Sequence, residues 1–173
     1  MPIMKNQNQP IISQLPNFLD WLEIEKSLSS KSQENYAQWL KRFTGWLKLK
    51  KLEGLTPAEL TKDHVWQYRL YLSRNNKITK ATQRCYLIAL RSLLSYFSEH
   101  DIPSLPPDKI KLGRDKDEKV VRFLSLEQIE KLFATPDRRT LQGKRDYAIL
   151  QLFFSTGLRV SELVGLNRKQ IQV

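Results

Sequence analysis

The residues whose types and spacing could do chemistry are concentrated near the end of the chain, in residues 145–166, RDYAILQLFFSTGLRVSELVGL. Gly157 separates an almost wholly apolar helix, residues 147–154, from a second helix that Thr156 can cap. The second helix would carry Arg159 in its first turn, beside backbone N–H groups that lack helical partners. A guanidinium next to such groups can hold a phosphate. The sequence therefore predicts a phosphate-binding corner; the alternative is an ordinary helix junction whose arginine reaches solvent.

The apolar residues around this corner predict that both of its helices are buried. Between residues 147 and 154 only Gln151 is strongly polar, so the first helix should be covered on most sides. In the second helix, apolar residues recur at helical spacing and predict one inward-facing stripe. The residues of this stripe are Val160, Leu163, Val164 and Leu166.

The charge of the chain favours a polyanionic partner. Its 173 residues include 29 lysines and arginines against 18 acids, which gives a formal net charge of +11. Nucleic acid is the first candidate, and an anionic membrane surface is the second. Membrane attachment is disfavoured because no apolar run approaches the length of a span and because residues 1–13 lack the apolar region of a signal peptide.

The cysteine and histidine content argues against disulfide and metal sites. Cys85 is the single cysteine and cannot form an internal disulfide, so a reducing, cytoplasmic location is the simplest expectation. His64 and His100 stand alone in the sequence, and we expect both at the surface or at helix ends rather than as metal ligands.

Helical periodicity dominates the first hundred residues and predicts a mainly α fold. Residues 1–12 form a polar lead that we expect to be disordered. Four amphipathic helices follow, at about residues 14–27, 31–50, 62–74 and 79–99. Between the second and third helices, residues 56–59 combine an N-cap, a helix-starting proline and an acid, which predicts a short helical turn. Four such helices suffice for a compact bundle over residues 13–102.

The distribution of charge in this bundle predicts one DNA-binding face. No acid occurs between His64 and Ser98. Lys80, Arg84 and Arg91 recur at intervals of four and seven, which places them together on the last helix, opposite its apolar stripe. Such a face could lie on the DNA backbone or enter a major groove; the alternative is a merely basic exposed surface. The predicted DNA-contacting residues are Lys41, Arg42, Arg74, Lys77, Lys80, Arg84 and Arg91.

The second part of the chain follows a segment that reads as a linker. Residues 103–122 contain three prolines, mixed charge and no sustained period. Ser125 and Gln128 then form a capping box that begins a new helix. Residues 123–173 are too few to cover the apolar helix, so we expect them to be the helical start of an incomplete domain.

The run TGLRVSEL, residues 156–163, preceded by Arg-Asp and an apolar helix, resembles the first catalytic-arginine motif of the tyrosine recombinases, which include phage integrases and Xer-type enzymes. The resemblance implies that Arg159 contacts the scissile phosphate and that Glu162 supports the local structure. It implies a SAM-like core-binding domain over residues 13–102 that grips double-stranded DNA, and the beginning of a catalytic domain over residues 123–173.

The family's chemistry is DNA strand cleavage and rejoining through a tyrosine. The tyrosine hydroxyl attacks a phosphodiester and forms a phosphotyrosine link, without a metal or a nucleotide cofactor. The resemblance also implies other recombinase protomers as partners, because family members assemble as tetramers on two duplexes.

The sequence departs from the family pattern after Arg159. Neither the family's His-x-x-Arg motif nor a tyrosine occurs in the residues that follow, and we assign none of the six preceding tyrosines as the nucleophile. We therefore predict the N-terminal part of a site-specific recombinase or integrase, which binds DNA and is inactive alone. The alternatives are a non-catalytic truncated DNA-binding or regulatory protein, and a transcriptional regulator that uses the Gly157 corner as a helix-turn-helix.

Overall fold

The computed structural model describes residues 8–74, 78–113, 123–167 and 169, and among these residues it contains helices and no strand. The helices are α1 (Ile11–Ile24), α2 (Ser30–Leu49), α3 (Lys62–Ser73), α4 (Lys80–Glu99), α5 (Leu126–Ala134), α6 (Leu141–Thr156) and α7 (Val160–Val164). The chain divides into two compact units: unit 1 is Met1–Glu118 and unit 2 is Lys119–Val173. The predicted mainly α fold class is confirmed.

Unit 1 is built around α2 and α4, and α1 and α3 each pack against both of them. Aromatic rings fill the contact between α2 and α3, where the ring centroid of Tyr68 lies 5.0 Å from that of Phe43 and 5.4 Å from that of Trp46. Tyr96 joins α4 to α1 in the same way, with its ring 5.9 Å from that of Phe18. Burying each large apolar side chain contributes about 1.5–3 kcal/mol, so these rings are a main source of the bundle's stability.

Helices α2, α3 and α4 of unit 1 begin where the sequence supplies a side-chain acceptor. Ser29 and Thr79 cap α2 and α4, because each hydroxyl accepts the N–H of the residue three positions later, at 3.4 Å and 3.2 Å. At α3, His64 Nδ1 accepts the N–H of Thr61 at 3.2 Å, so this histidine lies at a helix end, as predicted.

The predicted turn between α2 and α3 is a 3-10 helix, Pro57–Glu59. The N–H of Thr56 donates to Glu59 Oε2 at 2.9 Å, and this hydrogen bond lowers the pKa of the Glu59 carboxyl. The turn thus has the capping box that the sequence predicted.

All four predicted helices are present, with ends shifted by at most three residues. The largest shift is at α1, which begins at Ile11 because that side chain is fully buried and its N–H donates to the Leu55 carbonyl at 2.9 Å. The expectation of a disordered lead is therefore wrong for residues 11 and 12. Residues 1–7 lie outside the described part of the chain.

The first part of the predicted linker, residues 103–113, belongs to unit 1 and packs against its helices. Ile110 is 1% exposed and belongs to the core, and the partly buried side chains of Leu105 and Leu112 pack against this core. Arg69 of α3 holds the segment by donating from Nη1 to the Lys111 carbonyl at 3.1 Å. Isolated apolar residues among prolines and charges have no periodicity, so no pattern in the sequence predicts this packing. Residues 114–122 of the predicted linker are outside the described residues.

Unit 2 contains the helix pair α5 and α6, followed by α7. The predicted capping box begins α5, because the N–H of Ser125 donates to Gln128 Oε1 at 2.9 Å. Phe133 of α5 meets α6 through two rings, with centroid distances of 6.1 Å to Tyr147 and 5.5 Å to Phe154. These contacts set the pairing of the two helices.

The predicted burial of both corner helices is wrong for the described residues. Along residues 147–154 every side chain is half-buried or exposed, and Phe154 is 59% exposed. Val160 and Val164 of the predicted inward stripe are 68% and 77% exposed. The physical reason is that α5, with nine residues, packs against one side of α6, and within the described part of unit 2 no other helix covers the rest of that apolar surface.

Candidate nucleic-acid interface and arginine corner

One face of α4 is basic and exposed. Lys80, Arg84 and Arg91 are exposed and lie within about 40° of one another around the helix, whereas Leu93, on the far side, is fully buried. Leu87 lies beside the three cations around the helix and is buried, so the apolar stripe borders this face and does not lie wholly opposite it, contrary to the prediction. No acidic residue occurs in the sequence from position 64 to position 98 that could offset these charges locally. The structure therefore brings the three predicted α4 residues together on one face, which we call the basic face of α4.

Arg42 of α2 reaches α3 instead of extending freely into solvent. Its guanidinium carbon lies 5.4 Å from the centroid of the Tyr71 ring, within the range of a cation–π contact. Its Nε is buried and has no hydrogen-bond partner among the described residues. The positive charge of Arg42 also acts on the hydroxyl of Tyr68, but burial is the larger effect and raises the pKa of that hydroxyl, which stays neutral.

The remaining predicted DNA-contacting residues are more dispersed. Lys41 is exposed on α2, and Arg74 is exposed directly after the end of α3. Lys77 lies outside the described residues. The predicted DNA-contacting residues do not include Arg69. The position of its side chain depends on a hydrogen bond to the carbonyl of Lys111, 42 positions further along the chain, and no local sequence pattern predicts such a contact.

In unit 2, Gly157 ends α6 in the left-handed conformation, with φ of +67°, which glycine adopts without strain. The hydroxyl of Thr156 donates to the Leu152 carbonyl within α6. Its oxygen also accepts the Leu158 N–H at 3.4 Å, but α7 begins only at Val160, with Arg159 as its N-cap residue. The prediction that Thr156 caps the next helix is therefore wrong.

Arg159 is the N-cap residue of α7 and precedes the first turn in which it was predicted. Its N–H donates to Glu162 Oε2 at 2.7 Å, and its Nη1 donates to Glu162 Oε1 at 3.1 Å. Glu162 thus contacts both the backbone and the guanidinium of Arg159. The Arg159 side chain is nevertheless 82% exposed, so its charged end is accessible from solution.

These contacts correct the predicted phosphate site. The backbone N–H of Arg159, expected to be free, is taken by Glu162, and α7 has only five residues, too few for a strong helix dipole. The group at this corner that can bind an anion is the exposed guanidinium of Arg159, which Glu162 holds through Nη1. The guanidinium is planar and can bind two phosphate oxygens at once.

Replacing Glu162 by alanine is expected to open the start of α7, because the Arg159 N–H loses its acceptor. Loss of an N-terminal capping interaction costs about 0.5–2 kcal/mol, so amide hydrogen exchange at Arg159 should become about 2- to 30-fold faster. Glu130→Ala, at an exposed position of α5, is the matched control and should leave this amide unchanged. Equal exchange rates in the parent and Glu162→Ala would contradict the capping role.

No helix among the described residues is long and apolar enough to cross a bilayer. Nor do three or more His, Cys, Asp or Glu side chains gather in this part of the chain in a way that could hold a metal ion.

Family models match most of the chain. The model of the phage integrase N-terminal SAM-like domain matches residues 15–104, and the model of the phage integrase family matches residues 122–173. A solved structure of the N-terminal domain of a phage integrase/site-specific recombinase from Haloarcula marismortui superposes with a TM-score of 0.53. It covers 61% of this chain and 97% of that domain at 18% identity, which supports the fold alone.

Curated relatives match over nearly the whole chain. Tyrosine recombinase XerC of Chlamydia caviae is 32% identical over 93% of this chain and 56% of the relative. Tyrosine recombinase XerD of Pseudomonas aeruginosa is 31% identical over 98% of this chain and 55% of the relative. The chain spans about half the length of the curated relatives that it matches. With its two domain matches and these relatives, the chain belongs to the phage integrase family of tyrosine recombinases.

Proposed function

We propose that unit 1 binds duplex DNA through the basic face of α4, as the DNA-binding part of a site-specific tyrosine recombinase. The observation that carries this proposal is the alignment of three exposed cations, Lys80, Arg84 and Arg91, along one side of α4. At a rise of about 1.5 Å per residue, the three cations extend along about 16 Å of helix. That length exceeds the major-groove width of about 12 Å, so a helix lying across the groove can reach phosphates on both of its edges.

Residues on α2 and α3 would extend this contact. Arg42 lies against Tyr71, so its guanidinium loses less side-chain freedom on binding than that of an unsupported arginine. Lys41 and Arg74 are exposed, and Lys77 belongs to the same acid-free stretch. These residues would add phosphate contacts that fix the position of the bundle on the duplex.

Arg159 would serve the reaction of the recombinase. Attack by a tyrosine hydroxyl on a phosphodiester builds negative charge on the non-bridging oxygens, and a guanidinium bound to two of them stabilises that charge. Glu162 would position Arg159 through its contacts with the N–H and Nη1. This step needs no metal or nucleotide cofactor, because the charge is neutralised by protein cations.

The nucleophile is not assigned to any tyrosine of the described part of the chain. Tyr68 and Tyr96 are buried, and burial raises the pKa of both hydroxyls, which disfavours the phenolate. The other four tyrosines are half-buried. We infer that the chain alone binds DNA without cleaving it, and that the other recombinase protomers of a tetramer on two duplexes are partners of the complete enzyme.

A helix-turn-helix regulator is the less favoured function. A recognition helix inserts several side chains into the major groove. In α7, with five residues, two of the outward side chains are Val160 and Val164. Such a helix offers few groups that could read base edges.

The test of the proposal is a direct comparison of two polyanions. Binding of the chain to a fluorescent duplex and to vesicles containing about one-third anionic lipid is measured at the same salt concentration. We expect saturable duplex binding that weakens steeply as salt is raised, and much weaker vesicle binding. Vesicle binding without duplex binding would contradict the proposal and favour a membrane surface.

A further inference from the structure

Unit 1 contains a cavity between α3 and α4, next to the basic face. Its volume is about 330 Å³, near the lower end of the range for small-molecule sites. Apolar side chains, including Leu72 and Leu87, line part of it, and Arg69, Lys80 and Arg84 supply three positive charges. None of the lining residues is acidic. The cavity therefore suits a ligand that combines a flat apolar group with negative charge.

Trp66 of α3 gives this cavity an exposed aromatic surface. The side chain is 58% exposed, whereas Trp21 and Trp46 are 6% and 0% exposed in the core. The fourth tryptophan, Trp39, is half-buried and lies 5.5 Å from the ring of Tyr36. No ring contact within the described residues involves Trp66. An indole in this position can stack on a planar ligand without first leaving another ring.

The cations around the cavity are arranged before any ligand arrives. Arg69 is fixed by its hydrogen bond to the Lys111 carbonyl, at 3.1 Å, which leaves its guanidinium beside the cavity. Lys80 and Arg84 are four residues apart, and so neighbours on one side of α4. A phosphate at this point would meet charge from both helices.

We propose that this cavity receives one unpaired nucleotide of a DNA strand, with its base stacked on Trp66 and its phosphate among Arg69, Lys80 and Arg84. The proposal rests on the DNA-binding function proposed above. A base in an intact duplex has both faces covered by its neighbours, so it cannot stack on a side chain. An extrahelical nucleotide at a bulge or a gap has free faces and a phosphate within reach of the same cations.

The experiment compares three probes on the full chain: a fully paired duplex, the same duplex with one unpaired thymidine, and free thymidine monophosphate. Affinity is measured by competition and by the quenching of tryptophan fluorescence. The variants are Trp66→Ala, Trp66→Phe and the control Leu49→Ala, which removes an exposed apolar side chain of α2. Thermal melts confirm that each variant folds like the parent.

We expect the parent to prefer the bulged duplex over the paired one. Trp66→Ala should weaken binding of the bulged duplex about 5- to 150-fold, the range for loss of one base–aromatic stack, and leave binding of the paired duplex unchanged. Trp66→Phe should retain most of the preference, and Leu49→Ala should retain all of it.

Three results would overturn the inference. Equal binding of both duplexes by the parent, or equal weakening of both by Trp66→Ala, would show that the cavity does not take an unpaired base. Binding of the free nucleotide as tight as that of the bulged duplex would make a free nucleotide the occupant. In each of these cases the parent still binds the paired duplex, so the proposed DNA-binding function is unaffected. Failure of the parent to bind any duplex would overturn that function as well.

Discussion

Replacing Lys80, Arg84 and Arg91 together by alanine is expected to weaken duplex binding about 500-fold at about 0.1 M salt. Each phosphate contact releases about 0.9 counterion equivalents, so each raises the association constant about eightfold at that salt concentration. The factors from three independent contacts multiply. The fold should be unaffected, because all three side chains are exposed. Fluorescence anisotropy with a labelled duplex measures the loss.

The control removes the same amount of charge from other positions. Lys31, Lys109 and Lys131 are exposed, and each forms an ion pair with a nearby acid: Glu34, Asp108 and Glu127. Replacing these three lysines by alanine lowers the net charge equally but leaves the basic face of α4 intact. We expect less than about a fivefold loss from the control. Equal losses would mean that the total charge, and not this face, determines the affinity.

Arg159→Lys is expected to reduce DNA strand cleavage about 100- to 1000-fold in an active fusion of residues 1–173 to the C-terminal part of the Pseudomonas aeruginosa relative. An ammonium keeps the charge but cannot make the planar two-point contact with phosphate oxygens. Thermal stability should change by less than about 0.5 kcal/mol, because the Arg159–Glu162 pair is largely exposed. The measurement is the yield of covalent protein–DNA adduct on a nicked substrate.

Arg139→Lys is the matched control for this variant. Arg139 is also an exposed arginine of unit 2 paired with a nearby acid, and its Nε lies 2.9 Å from Asp137 Oδ1. The hydrogen bonds from Arg139 lower the pKa of the Asp137 carboxyl. We assign no phosphate contact to Arg139. We expect Arg139→Lys to cleave like the parent fusion. If Arg159→Lys cleaved DNA as well as the parent fusion does, the corner at Gly157 would be a helix junction without a role in phosphate binding.

The helices of unit 1 were predictable because each carries its signals locally. An apolar stripe of period 3.6 and a hydroxyl three residues before a free N–H are both properties of neighbouring residues, as at Ser29 and Thr79. The alignment of Lys80, Arg84 and Arg91 followed from the same periodicity. Positions fixed by one helix can therefore be derived without the tertiary structure.

The features that sequence reasoning missed depend on distant or competing partners. Ile110 is buried by helices far away in sequence, and the Arg69–Lys111 contact joins residues 42 positions apart. The hydroxyl of Thr156 bonds within α6 and to the Leu158 N–H, and it does not cap α7 because that helix begins only after Arg159. The apolar pattern of residues 147–154 predicts an apolar helix surface, but it does not predict whether another helix of unit 2 covers that surface.

The most direct test of DNA binding through α4 is the salt dependence of duplex affinity. The logarithm of the association constant is plotted against the logarithm of the salt concentration for the parent chain and for the variant with Lys80, Arg84 and Arg91 replaced by alanine. Each lost phosphate contact should flatten the slope by about 0.9, so we predict a total difference of about 2.7. Parallel lines for the two proteins would show that the basic face of α4 does not contact DNA phosphates and would contradict the account.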